Sequence, residues 1–356
     1  HYLSNQRHFP FYPDKTGELF DIYNEVKDYV KKISEEEFIR SFDATKKSME
    51  DKPTLLDDFE DIDFVSFAVT KKKQPVSYTI GEGTQTYTAK RWLKPYRMNR
   101  YETTYRFWYS IKTQAEEKGY FFANPGQEGS AGRRGRAPTQ TKQYQPVTMI
   151  NWYDAVVWCN ALSELNGKTP CYTYNGQILR DSSDTASCDL AECNFEADGF
   201  RLPTEAEWEY ASRYTPDGLQ KGNLASGQIA TGENKHIASV DEVAWIAENA
   251  DKTRVVGTAG TPFEENAPPA PASGNPNGAG LFDMSGNVLE FCWDWSASYD
   301  APSAESRPVG PEVGNERIMR GGSWHEVTML LGAGDRYTSN PGENYNYFGF
   351  RVACSR

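Results

Sequence analysis

The sequence predicts an irregular α+β domain with few helices, many short strands and long ordered loops, preceded by a helical N-terminal segment. Three observations point there. Leu, Ile, Val and Phe together make up only about 18% of the 356 residues, under the roughly 20% at which disorder becomes a live reading. Against disorder, the net charge is only −12 and aromatics reach 13%, with 9 Trp and 21 Tyr. Each buried ring removes about 150–250 Å² from water, so the core is expected to be aromatic. Helical periodicity is also confined to a few stretches, with Gly-, Pro- and Asn-rich segments between them.

Taken in order, Leu19, Ile22, Tyr23, Val26, Val30 and Ile33 recur at three- and four-residue steps, which predicts an amphipathic helix. A second helix is expected to start at Ser34, with Glu37 completing a capping box. An acidic stretch over 57–63 gives way to an apolar strand over Phe64–Val69, and no Trp occurs before Trp92. The boundary is therefore placed near residue 60, giving a helical segment 1–60 and a domain 61–356. Tyr101, Tyr105, Trp108 and Lys112 predict a helix with one aromatic face. Trp152, Ala155, Val156, Cys159 and Leu162 predict another, stopped by Asn166 and Gly167. Thr204 and Glu207 form a capping box ahead of Trp208 and Ala211. Little helix is expected after residue 214, and 261–280 reads as loop.

Several function classes are excluded or disfavoured. No run approaches the roughly 18 apolar residues of a membrane span, and no charged-then-apolar leader is visible. His1 is not an initiator Met, so any leader or lipid-anchor cysteine is expected outside this sequence. The acidic balance offers no Lys/Arg stripe for nucleic acid, and Arg133, Arg134 and Arg136 read as a solvated loop. Six cysteines without a C-x-x-C pair and four scattered histidines argue against structural zinc. The Gly-Gly-Ser-Trp-His at 321–325 lacks the final Gly of a nucleophile elbow, and no H-E-x-x-H or phosphate loop occurs.

Four segments are more specific: Gly199-Phe-Arg-Leu-Pro-Thr-Glu-Ala-Glu-Trp-Glu-Tyr-Ala, Gly280-Leu-Phe-Asp-Met-Ser-Gly-Asn-Val-Leu-Glu-Phe, Arg320-Gly-Gly-Ser-Trp and Gly349-Phe-Arg-Val-Ala. In this order they closely resemble the formylglycine-generating-enzyme family. Tyr101-Glu-Thr-Thr and Pro146-Val-Thr-Met-Ile-Asn-Trp-Tyr-Asp-Ala are similar to its upstream segments, so the resemblance covers roughly residues 62–356. It implies a C-type-lectin-like fold. The activity does not carry over. The family's oxidases bind copper(I) through two cysteines, and the matching positions here are Glu326 and Leu331. Neither a carboxylate nor an alkane replaces a thiolate for that soft ion. The histidine cluster of the sulfoxide-synthase branch is missing as well.

The segment 320–352 further resembles the variable region of diversity-generating-retroelement proteins. That resemblance implies a fixed frame of Arg320–Trp324, Arg336, Pro341 and Gly349–Arg351, in which residues such as Trp324 and Arg351 are expected to be buried and to hold the loops. It makes His325, Glu326, Val327, Met329, Leu330, Asp335, Tyr337, Thr338, Ser339, Asn340, Gly342, Glu343, Tyr345, Asn346 and Tyr347 the ligand-binding positions, within a region of about 290–352. Adenine mutagenesis of an Asn codon cannot yield Glu326, Met329 or Glu343, so those three need another template codon or are fixed. Independently, Tyr337, Tyr345 and Tyr347 lie among Ser, Thr, Asn and Gly, the mixture used by antibody loops for adaptable contact. A polar surface loop with two tyrosines packed beneath it is the plain alternative.

The resemblance also implies a calcium site on Asp283, the carbonyls of Gly286 and Val288, and Glu290, hard oxygen ligands of the kind calcium takes. The alternative is that Asp283 caps the turn and Glu290 pairs with an arginine such as Arg351. A Cys159–Cys354 bridge and two packed thiols both stay open, as does local pairing among Cys171, Cys188 and Cys193. No other cofactor is expected. The combined reading is a non-catalytic surface protein, lipid-anchored, that displays 325–347 to a protein or cell-surface ligand. The rival is an enzyme in the same groove, with an acid–base pair drawn from Glu326, Asp335 and Glu343.

Overall fold

The computed structural model describes residues 59–68, 75–84, 88–228, 230–231, 236–237, 239–264, 267–299 and 309–355. The two helices expected before residue 57 lie outside the described residues. One compact unit spans Glu60–Arg356.

Two four-stranded sheets organise this unit. Their strands are β1 (Phe64–Phe67), β2 (Tyr96–Asn99), β3 (Phe200–Arg201), β4 (Leu289–Trp295), β5 (Arg317–Arg320), β6 (Arg336–Ser339), β7 (Phe348–Gly349) and β8 (Ala353–Ser355). The first sheet runs β1-β2-β8-β3 and is antiparallel throughout. The second runs β6-β5-β4-β7, antiparallel except for the parallel β4–β7 pair. Short two-stranded ladders, such as Val76–Ile80 with Ala89–Leu93, sit beside them.

Four α-helices occur among the described residues: α1 (Tyr105–Glu116), α2 (Trp152–Leu165), α3 (Thr185–Asp189) and α4 (Glu205–Ser212). The Thr104 hydroxyl caps α1, so this helix starts after Tyr101, whose ring stacks on Phe282 instead. Asn151 and Asp154 form a reciprocal capping box on α2, and Thr204 and Glu207 form one on α4. The α2 helix ends at Asn166, as its Asn-Gly signal predicts, and is buried from Trp152 to Ser163. No α-helix follows residue 214 among the described residues, only two 3₁₀ turns. The described part of 261–280 is loop.

Rings fill the interior. Trp108 and Trp158 stack at 6.0 Å and Phe350 meets both edge-on. Seven of the nine tryptophans are buried, whereas Trp92 is 42% exposed and Trp324 is partly covered. Arg133, Arg134 and Arg136 are exposed, as a solvated loop requires. All six cysteines are thiols, and the Cys159–Cys354 bridge is not formed. Burial pushes the Cys159 thiol well above its ordinary value, with Cys171 and Cys193 adding to it.

Candidate functional site

The site begins with a buried charged frame. Arg351 is fully buried and spends its donors on Glu290, at 2.7 and 2.5 Å, and on the carbonyls of Asn99, Arg100 and Phe282. Glu290 also accepts from the Trp208 indole at 2.7 Å. Arg320 on β5 pairs with Glu209 and lies 3.3 Å from Glu205, both on α4. Its other arm donates to the carbonyls of Ala333 and Asp335, which ties the loop before β6 to the frame. Gly322 has φ +69° and a Cβ there would lie 2.5 Å from Leu331 Cδ2, so this position needs glycine.

The segment 325–347 is fastened by the β5–β6 ladder and by four of its own carbonyls. Ala247 N–H donates to Glu326 O, Trp152 N–H to Pro341 O, Met149 N–H to Tyr345 O and Leu289 N–H to Tyr347 O. Between these anchors Leu331–Gly334 are buried, and most of the expected ligand-binding side chains are exposed or half-buried. His325, Val327, Met329, Leu330, Thr338, Asn340, Gly342, Glu343 and Tyr345 are exposed, Met329 by 84%. Glu326, Asp335, Tyr337, Asn346 and Tyr347 are half-buried. Ser339 does not fit the exposed set. It is buried at the end of β6 opposite Arg317, because its side chain falls on the inner face of the strand, where it bonds Glu343 at 2.8 Å.

Rings dominate one end of this surface. His325 stacks on Tyr347 at 5.5 Å, and Tyr347 on Tyr345 at 5.3 Å, with interplanar angles of 12° and 11°. Trp324 meets His325 edge-on, so it is half-buried rather than buried as expected: one side supports the stack and the other packs on the Trp245 cluster. Partial burial raises the Tyr347 hydroxyl above its ordinary range, helped by Tyr345, Glu326 and Glu343. At the other end, Asp335–Thr338 border a groove of about 740 Å³ together with Met329, Leu330, Tyr299 and Asn223. Tyr299 and Asn223 carried no sequence signal, since only long-range folding brings them there.

The three carboxylates of the enzyme reading are each taken locally. Glu326 accepts from the Ser323 hydroxyl, Glu343 from Ser339, and Asp335 from Asn223 and the Gly332 N–H at 2.7 and 2.8 Å. At the copper positions Leu331 is buried and Glu326 half-buried. For calcium the residues do not fit as a set. Glu290 holds Arg351, the alternative the sequence left open. Asp283 caps the Gly257 N–H at 2.5 Å and keeps one buried oxygen without a hydrogen-bond partner. One carboxylate oxygen and two carbonyls fall short of the about six to eight oxygens calcium takes.

Behind the groove lies a titratable pair. Burial, with Glu205 adding to it, pushes Asp294 up to about 7. Burial also acts on Glu205, but Arg320 and Arg336 hold it below its ordinary value. Asp294 faces Glu205 and Glu207 on α4 and Arg336 on β6, and it accepts from the Glu205 N–H at 2.7 Å. Its folded-state value is raised, so between about pH 4 and 7 the folded protein binds the extra proton, and stability falls as pH rises through that window. We expect a gain on the order of 2–4 kcal/mol on acidification from pH 8 to 5. Asp294→Asn should lessen this dependence, with Asp283, raised to about 6, contributing to what remains; urea titrations across that range check it, and an equal slope in both proteins would refute the assignment.

With the geometry in hand, the class of protein is defined: a C-type-lectin-like domain of the formylglycine-generating-enzyme type. Residues 66–356 match the model of the sulfatase-modifying factor enzyme 1-like domain, and the chain belongs to that family. The variable protein 1 of Treponema denticola has a similar structure, with a TM-score of 0.60 and 28% identity, covering 82% of this chain and 95% of that one. The chaperone protein LppX of Paenibacillus barcinonensis is 33% identical over 186 residues, 51% of this chain and 59% of its own length. The formylglycine-generating enzyme of Thermomonospora curvata is 34% identical over 163 residues, 44% of this chain and 50% of its own. The chain thus spans about half the length of the curated relatives it matches.

Proposed function

We propose that this chain is a non-catalytic ligand-binding protein displaying residues 325–347 to a protein or cell-surface partner, with its exposed positions diversified by a retroelement. The observation that carries the reading is the division of labour in this segment. Its main chain is pinned by the frame, while a His325–Tyr347–Tyr345 stack and small polar side chains face solvent. Stacked tyrosines offer large contact area at low rotamer entropy. The similarity to a protein named as variable supports the same reading. The enzyme alternative draws on the relatives named formylglycine-generating enzymes. It has to work without the cysteine pair and with carboxylates that already serve local hydrogen bonds.

The test is a paired measurement on Tyr345→Ala with His325→Ala. Surface substitutions of this kind shift stability by about 0.5 kcal/mol or less, whereas cross-linked capture of a partner from cells should be lost. Capture that survives both changes would sink the display reading. Diversification is checked in the genome, where a near-copy of the 3′ coding segment should accompany a reverse transcriptase, differing only at template adenines. Surface placement through a lipid anchor belongs to the same proposal and is read by protease shaving of intact cells.

A further inference from the structure

The strand β6 is an edge of its sheet: β5 pairs with one side of it, and among the described residues no strand pairs with the other. Five consecutive residues, Gly334–Thr338, line the adjoining groove. Side chains of a strand alternate between its two faces, so an unbroken run can border one groove only where that groove follows the strand's edge. Three of these residues, Arg336–Thr338, belong to β6, and at about 3.3 Å per residue they offer roughly 10 Å of edge. An open edge presents main-chain donors and acceptors at the spacing of a further strand. Tyr299 also lines the groove, its ring 4.4 Å from the Arg336 guanidinium carbon, and exposed Met329 and Leu330 supply apolar lining.

The charge around this edge is one-sided. Asp335 lines the groove, Glu316 accepts from Thr338 Oγ1 at 2.9 Å, and Glu326 lies near enough to Tyr337 to raise its hydroxyl, after burial. None of the three carboxylates forms an ion pair among the described residues. The neighbouring cations are already engaged: Arg336 is bidentate to Glu205 at 2.6 and 2.8 Å, Lys221 pairs with Glu82, and Arg91 is buried against Tyr299. An incoming segment therefore meets uncompensated negative charge beside an open strand edge.

We infer that this groove takes an extended, Lys/Arg-bearing peptide segment of a partner protein, which adds to the sheet as a strand beside β6. This deepens the display reading and rests on it: main-chain bonds along β6 supply affinity whatever the side chains are, and Tyr337, Thr338 and the acidic rim select. The charge complementarity favours a basic segment and disfavours an acidic one.

The experiment selects a phage-displayed random peptide library on the whole chain and measures the enriched peptides by calorimetry. Enriched sequences should carry Lys or Arg alternating with β-branched residues. Methylating their backbone nitrogens one at a time should weaken binding about tenfold at every second position and little between, since each blocked bond removes roughly that factor. Amide exchange along 336–339 should slow on binding. Glu316→Lys, an exposed change that leaves the core alone, should weaken binding, and Tyr299→Ala serves as a second variant. No enrichment, acidic winners, or a methylation profile without period two would overturn the inference. A protein ligand captured through Tyr345 and His325 with unchanged exchange along 336–339 would overturn it while leaving the display reading intact.

Discussion

Arg351→Met is expected to lose about 3–5 kcal/mol of folding stability, the cost of breaking a buried ion pair from one side. The reason lies in what stays behind. Glu290 is fully buried and would keep only the Trp208 indole as a donor. Two more buried carboxylates, Glu102 and Asp283, lie close by. Burial raises both, to about 6 for Asp283, with Glu290 adding to each and Asp283 adding to Glu102. Arg351 lowers both. Three backbone carbonyls also lose a donor. The double variant Arg351→Met with Glu290→Gln should recover part of the loss, because the stranded charge is gone. Urea denaturation decides: a single variant with the wild-type midpoint, or a double variant no better than the single, would refute this account of the pair.

Trp152→Ala is expected to lose a similar amount, about 3–5 kcal/mol, as large-to-small changes of buried aromatics do. Trp152 is fully buried, donates its indole N–H to Cys292 O at 2.9 Å and packs on Trp293 at 5.4 Å. It also forms one wall for Arg317, whose guanidinium carbon sits 3.6 Å from the Trp152 ring centre and 3.3 Å from that of Trp295. Arg317 has no carboxylate partner among the described residues, and burial pushes it down to about 9. The two rings flank it, while Nη1 donates to the Trp293 carbonyl at 2.7 Å and the charges of Asp189 and Asp294 oppose the effect of burial. Trp152→Phe keeps a ring in place and should lose clearly less. Equal losses in the two variants would show that the ring's contact with Arg317 contributes nothing.

Much of the architecture was legible because its signals are local. The α2 helix follows from apolar spacing and an Asn-Gly stop, and α4 from a Thr-x-x-Glu box, both settled within one or two turns. The five-residue α3 is too short to leave a periodic trace. Tyr101 fits the spacing of α1 yet lies outside it, since the Thr104 cap starts the helix later. In the site, the exposed positions were largely legible from the family frame. Ser339 was not, because facing inward depends on strand parity, which slips with one residue of register. The groove was invisible for a different reason. Tyr299, Asn223 and Thr338 are far apart in the chain, and no spacing rule reports such proximity.

The carbonyl anchors of 325–347 have a consequence for how this protein can change. Every amino acid carries the same carbonyl, so the clasp formed by Ala247, Trp152, Met149 and Leu289 is blind to which residue it grips. A randomised library at the exposed positions should therefore yield soluble, correctly folded members at nearly uniform frequency. Novelty in recognition and heritability of shape are then separate quantities, one written in side chains and the other in the backbone.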